Sequence, residues 1–91
     1  MKHLKFIKQI LSKCESLRPD VVAFASQTPN WVEVCVSDYD LYFYDKRFQA
    51  LTKAWHKIAN QKGFKLIFFC CYPKEKDLLE LAENDNLIMN L

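Results

Sequence analysis

The segment KRFQALTKAWHKIANQKGFKLIFFCC, residues 46–71, decides the fold because it joins a helical pattern directly to a strand pattern. Apolar side chains recur every three or four residues from Phe48 to Ile58. This spacing predicts an amphipathic helix over residues 46–62, with one apolar stripe turned toward a core.

The flanks of this helix carry their own signals. Asp45 can cap its start, and Gly63, the one glycine in the sequence, can end it in the left-handed conformation. The nearly continuous apolar run 64–71, bounded by Pro73, then predicts a strand buried on both faces. We therefore expect this strand at the centre of the sheet.

Upstream of this segment, the pattern predicts one helix and three strands. An apolar stripe over residues 2–18 indicates an amphipathic helix. Residues 21–26 form an apolar run, and residues 31–36 alternate, with valines on one face. Turn-forming residues at 37–40 precede a further alternation over 41–44, with Leu41 and Phe43 inward, so the last two strands are expected to form a hairpin.

Downstream, Pro73 opens a short helix, and residues 87–91 can add a final strand. The predicted order is α-β-β-β-α-β-α-β, an antiparallel meander that runs into crossover helices on one mixed sheet. The fold class is therefore α+β. With 91 residues, the chain is expected to form a single compact domain over residues 1–91.

Composition excludes several classes of protein. The longest apolar run, Leu66–Tyr72, is far shorter than the roughly 20 residues that span a membrane. A single glycine argues against a phosphate-cradling loop, and we expect no cofactor. The four cysteines lack a C-x-x-C spacing and follow no secretory leader, which favours a cytosolic protein with reduced, small apolar thiols. These cysteines are Cys14, Cys35, Cys70 and Cys71.

Few residues of the sequence could form a catalytic or a metal-binding site. His56 is the one plausible base, and it lies among lysines on the polar face of the predicted helix. Clustered carboxylates can bind Mg²⁺, but the acid-x-lysine triplet of metal-dependent nucleases is missing. Formation of a turn explains the presence of Asp38 and Asp40 better than binding of a metal ion does. The sequence therefore predicts neither an enzyme nor a metal site.

The most distinctive feature is an acidic, aromatic block. Residues 19–45 contain five acids and no lysine or arginine. Uninterrupted carboxylates beside amphipathic rings suit a basic partner, because like charges steer encounter and rings supply contact area. The alternative is that the first helix covers the rings as core. The predicted partner-binding residues are Trp31, Glu33, Asp38, Tyr39, Asp40, Tyr42 and Tyr44.

These residues predict a small, non-catalytic binding protein whose partner is a basic protein such as a nuclease or toxin. Immunity proteins, antitoxins and phage-encoded antagonists offer an analogy, since an acidic patch can occupy a phosphate site. The second hypothesis is a nucleic-acid-binding module, and the third is a homodimer that buries the aromatic face. The second would use the basic residues Lys46, Arg47, Lys53 and Lys57, joined by Lys2, Lys5 and Lys8.

Overall fold

A computed structural model describes residues 3–89 of the chain. One mixed sheet has the strand order β3-β2-β1-β4, in which β2 and β3 are parallel and the other two pairs are antiparallel. The α+β class with a mixed sheet is confirmed. The elements are α1 (Leu4–Leu17), β1 (Ala23–Thr28), β2 (Trp31–Val36), α2 (Tyr39–Tyr44), α3 (Lys46–Lys62), β3 (Lys65–Cys70), α4 (Glu75–Glu83) and β4 (Leu87–Met89).

The helical layer covers one face of the sheet. α1 and α3 pack against the face that carries the three valines of β2, each at most 1% exposed. Apolar side chains of α1 belong to the same core as these valines. The predicted alternation of β2 is therefore confirmed. The buried α1 residues are Ile7, Ile10, Leu11 and Cys14.

The signals at both ends of α3 act as predicted. The Asp45 carboxylate accepts hydrogen bonds from the backbone N–H groups of Arg47 (2.8 Å) and Phe48 (3.2 Å). Gly63 has φ 85°, and its N–H donates to the carbonyl oxygens at the end of the helix. The helix consequently begins at Lys46 and ends at Lys62.

The third predicted strand is wrong, because residues 39–44 form the short helix α2. Asp38 is its N-cap, and its carboxylate accepts a 2.7 Å hydrogen bond from the N–H of Leu41. This local cap outweighs the strand preference of the aromatic residues that follow. Leu41 is buried as expected, whereas Phe43, predicted inward, is 45% exposed.

The hairpin lies one strand earlier than predicted. β1 pairs with β2 up to Thr28 and Trp31, so Pro29 and Asn30 form a two-residue turn. Asp38 and Asp40 therefore belong to the start of α2 and not to a hairpin tip.

The central position predicted for β3 is also wrong. β3 is an edge strand, paired on one side with β2. α3 covers its core face, while Phe69 on the opposite face is 42% exposed. The apolar run predicted two buried faces. In the structure, one edge of β3 pairs with no strand, and Phe69 on the face opposite α3 is partly exposed to solvent. At the other edge, β4 is described over 87–89, and residues 90–91 of the predicted strand lie outside the described range.

Candidate functional site

Three aromatic side chains on α2 are exposed and touch one another. Tyr39 is 60% exposed, Phe43 45% and Tyr44 69%. The ring of Tyr39 lies 4.4 Å from that of Phe43 and 6.3 Å from that of Tyr44, centroid to centroid. We call these three residues the α2 aromatic cluster. Such a cluster presents a continuous apolar surface to solvent.

Tyr42, the fourth ring of α2, faces the protein and fixes the helix. Its hydroxyl donates a 2.9 Å hydrogen bond to the carbonyl oxygen of Phe68 in β3. Its ring packs edge-on against Phe43 at 4.7 Å and lies 6.0 Å from Phe48 of α3. Tyr42 therefore supports the α2 aromatic cluster from beneath and is not itself an exposed anchor.

The other supports of α2 come from its two ends. Leu41 is fully buried beneath the helix. At the C-terminal end, the Gln49 side-chain amide donates a 3.0 Å hydrogen bond to the carbonyl oxygen of Phe43. Since the backbone is held at both ends, α2 would lose little backbone entropy on binding a partner.

The acids of the predicted block are dispersed by the fold. Arg47 binds the Asp45 carboxylate at 2.9 Å, and this hydrogen bond holds the pKa of Asp45 at about 2. Asp40 is exposed, and it lines a hollow together with Arg18, Lys46 and Tyr44. Basic side chains of α3, and Arg18 directly after α1, thus interrupt an acidic block that is uninterrupted in the sequence.

Trp31 and Glu33 lie apart from α2, on the sheet face opposite the core. The Trp31 indole N–H donates a 3.1 Å hydrogen bond to Glu33, and the Lys65 ammonium group lies 4.9 Å from the Trp31 ring centroid. We call this side of the sheet, with Trp31 and Phe69, the open sheet face. The single sheet face predicted to combine Trp31, Tyr42 and Tyr44 does not form, because the two tyrosines are on a helix.

The position of α1 answers the question that the sequence left open. α1 packs on the valine face, together with α3, and so does not cover the open sheet face, although Phe24 of β1, which lies on that face beside Cys35, is only 6% exposed. The rings on that face are therefore not buried by the first helix. Trp31 remains 39% exposed.

The basic residues of α1 and α3 come together in one layer. The two helices are in contact, and the Lys62 ammonium group near the end of α3 lies 5.8 Å from the Phe6 ring centroid near the start of α1. At the opposite end, Arg18 follows α1 and borders Lys46. We call this the basic helical layer. Its exposed basic residues include Lys5, Lys8, Lys46, Arg47, Lys53 and Lys57, while Lys2 lies outside the described residues.

A groove of about 400 Å³ lies between α3 and β3. The His56 ring packs edge-on against Phe68 with centroids 5.3 Å apart, and the Thr52 hydroxyl donates to the carbonyl oxygen of Gln49 at 2.9 Å. Sequence reasoning missed this groove, because its lining residues are far apart in the chain. Tyr42 closes one part of it.

Across residues 3–89, no three histidine, cysteine or acidic side chains are grouped closely enough to bind a metal ion. The helices described also include none with the length and apolar character needed to cross a membrane. All four cysteines are free, but only Cys14 is a fully buried apolar side chain, and burial raises its pKa to about 12.

Comparisons with protein-family models, with curated proteins and with solved structures give no match for this chain.

Proposed function

We propose that this protein is a small protein-binding domain that uses the α2 aromatic cluster as its anchor. The observation that carries the proposal is the contact between three exposed rings on a helix held at both ends. Aromatic side chains are the commonest energetic anchors of protein interfaces, and pre-organised rings bind at a lower entropic cost.

A partner that presents lysine or arginine side chains fits this surface best. Tyr39 and Tyr44 offer ring faces that attract cations, and the Asp40 carboxylate lies between them in the sequence on the exposed surface. Asp38 contributes negative charge at the start of α2, although its carboxylate is engaged as the helix cap. Arg18 and Lys46 at the border of the cluster would restrict which basic surfaces can approach.

Inhibition of a basic protein, such as a nuclease or toxin, remains the more specific form of this proposal. An inhibitor needs a rigid anchor and electrostatic complementarity more than it needs catalytic groups. A reducing compartment such as the cytosol belongs to the same proposal, since all four cysteines are free thiols.

The test is affinity capture from the native host, followed by binding measurements on matched variants. Tyr39→Ala and Tyr44→Ala should each weaken binding of the captured protein by about tenfold or more, as expected for anchor residues. Tyr72→Ala is the matched control, because Tyr72 is 78% exposed but lies outside the cluster. Equal binding by all three folded variants would overturn the proposal.

Nucleic-acid binding is a second candidate, favoured by the contact between α1 and α3. Residues 46–62 contain no acid, and packing against α1 adds Lys5 and Lys8 to the same layer. Exposed lysines on neighbouring helices attract phosphates in a salt-dependent manner. The acids in the rest of the chain leave a net charge of only +2, which limits the overall field.

A gel shift at low salt separates the two candidates. The double change Lys53→Glu and Lys57→Glu should abolish a shift that depends on the basic helical layer. The matched control is Lys74→Glu with Lys76→Glu, since both lysines are exposed and lie outside that layer. If no DNA or RNA is shifted by the wild-type protein, this candidate falls. The homodimer hypothesis stays a prediction that sedimentation equilibrium can test.

A further inference from the structure

Two cysteines that are distant in the sequence lie on the same face of neighbouring strands. Cys35 of β2 pairs with Phe69 of β3 in the parallel register. The N–H of Cys71 donates a 3.1 Å hydrogen bond to the carbonyl oxygen of Val36, so the ladder continues through Cys71. Since side chains alternate along a strand, Cys35, Phe69 and Cys71 all belong to the open sheet face.

The two thiols differ in exposure and are close enough to interact. Besides burial, the Cys71 side chain contributes to a raised pKa of Cys35. Cys35 is half-buried and Cys71 is exposed. The remaining two cysteines are placed elsewhere: Cys70 pairs with Val36 of the valine face, and Cys14 is buried in α1. Cys35 and Cys71 therefore form a distinct dithiol.

We propose that Cys35 and Cys71 are a peroxide-sensitive dithiol that closes into a reversible intramolecular disulfide. In the first step, the Cys71 thiol loses its proton, and the thiolate attacks one oxygen of hydrogen peroxide; the O–O bond breaks, Cys71 becomes a sulfenic acid, and the departing hydroxide takes up the released proton as water. In the second step, the sulfur of Cys35 attacks that of Cys71, the S–O bond breaks, and the departing hydroxide takes the Cys35 proton as water.

The reaction balances in atoms and electrons. Two thiols and one peroxide yield one disulfide and two waters; each sulfur gives up one electron, and the peroxide accepts both. A dithiol reductant reverses the reaction by thiol–disulfide exchange.

The order of the two steps follows from the surroundings of each thiol. Burial, followed by the interaction with the Cys71 side chain, raises the pKa of Cys35 to about 12, so Cys35 is a neutral thiol at physiological pH. Cys71 is exposed to dissolved oxidant. Cys71 is therefore the residue that meets peroxide, and Cys35 is the residue that resolves the sulfenic acid.

The backbone near Cys71 can accommodate the bond. Diagonal neighbours on adjacent strands have Cα atoms roughly 7–8 Å apart, slightly beyond the range of about 4.4–6.8 Å in disulfides. Residues 71–74 form neither helix nor strand, so a shift of Cys71 toward β2 would disturb its one hydrogen bond to Val36 but no helix or strand. The bond would tie β2 to the segment that leads into α4.

The experiment treats the full-length, reduced protein with hydrogen peroxide and counts free thiols. The count should fall from four to two, with a Cys35–Cys71 linkage in peptide mass mapping and a higher melting temperature for the oxidised form. Dithiothreitol should restore all four thiols. Without added oxidant, all four should remain reduced.

Matched variants make the assignment specific. Cys35→Ala and Cys71→Ala should each abolish the linkage, whereas Cys70→Ala should retain it, although Cys70 is adjacent in sequence to Cys71. Because Cys71 is exposed, its variant is expected to fold even if that of Cys35 does not. A Cys70–Cys71 linkage, a disulfide between two chains, or four thiols that survive peroxide would each overturn the proposal.

Discussion

The hydroxyl of Tyr42 donates its hydrogen bond to the carbonyl oxygen of Phe68, on the edge of the sheet that β2 leaves free. The N–H groups of Lys65 and Cys71 donate to carbonyl oxygens of residues in or next to β2. Because these groups alternate in direction along a strand, the backbone N–H and carbonyl groups of Phe68 point away from β2. Tyr42 thus occupies an acceptor that would otherwise be open to another strand. Side chains that cover an edge protect a sheet against unwanted pairing.

Removal of this hydroxyl should lower the stability of the fold. Tyr42→Phe keeps the ring in place but leaves the Phe68 carbonyl without its donor, which should cost about 1 kcal/mol in the free energy of unfolding. Urea denaturation followed by circular dichroism measures the change. Tyr44→Phe is the matched control and should leave the midpoint unchanged, since the Tyr44 ring is 69% exposed. An unaltered midpoint for Tyr42→Phe would contradict the role of this contact.

Gly63 should resist substitution for reasons of backbone conformation alone. An added Cβ would meet no atom within 4 Å, so space is available, but φ 85° is unfavourable for residues with a side chain. Gly63→Val should therefore destabilise the protein by roughly 1 kcal/mol or more. Gly63→Asn, which tolerates the left-handed region better, should lose less in the same thermal melt. A wild-type melting temperature for Gly63→Val would refute the explanation.

Asp45 should make stability depend on pH in the acid range. Its pKa is lowered from 3.8 to about 2, chiefly by the hydrogen bond from Arg47. A carboxylate with a lowered pKa stabilises the folded state above the higher value, and this contribution is lost as the pH falls through the lower one. The free energy of unfolding should therefore decrease between pH 4 and pH 2.

Two variants isolate this effect in acid denaturation series. Asp45→Asn should flatten the decrease in that pH range, because the residue no longer titrates. Arg47→Ala should make the decrease smaller, since the main cause of the lowered pKa is removed and the folded-state pKa returns toward that of the unfolded chain. If the acid profiles of both variants coincide with that of the wild type, Asp45 does not control stability in this range.

For the proposed partner, charge and ring contacts should affect different rate constants. Asp40→Lys should mainly slow association, because Asp40 is exposed and helps to steer a basic partner. Tyr44→Ala should mainly accelerate dissociation, by about tenfold or more, because the complex loses an anchor that the interface would bury. Asp38 is unsuitable for the charge test, since its carboxylate caps α2. Surface plasmon resonance with the captured partner would show either pattern, and unchanged rate constants would rule out this surface.

Features governed by neighbours in the chain could be predicted from the sequence. The bounds of α3, the cap at Asp45 and the left-handed Gly63 depend on contacts within about one helical turn. The alternation of β2 follows equally from which residues are apolar. These features are determined by backbone geometry and side-chain type, and they do not depend on which element packs against which.

Residues 39–44 show where local signals compete. Alternating polarity and β-prone rings predicted a strand, whereas the cap at Asp38 favoured a helix. The burial of Leu41 beneath the helix and the bond from Tyr42 to Phe68 favour the helix further, and neither contact can be read from neighbouring residues. The prediction therefore chose the wrong element; it correctly placed Tyr39 and Tyr44 at the surface, but it reversed Tyr42, which faces the protein, and Phe43, which is exposed.

Tertiary structure alone decided the arrangement of the surfaces. Strand order placed β3 at an edge, packing placed α1 on the valine face, and parallel register brought Cys35 beside Cys71. The sequence by itself determined the α+β class, most of the helices and strands, and which side chains are charged or aromatic. It could not determine which of them share a face, because pairing between distant strands depends on the free energy of the whole packed core and not on any local pattern.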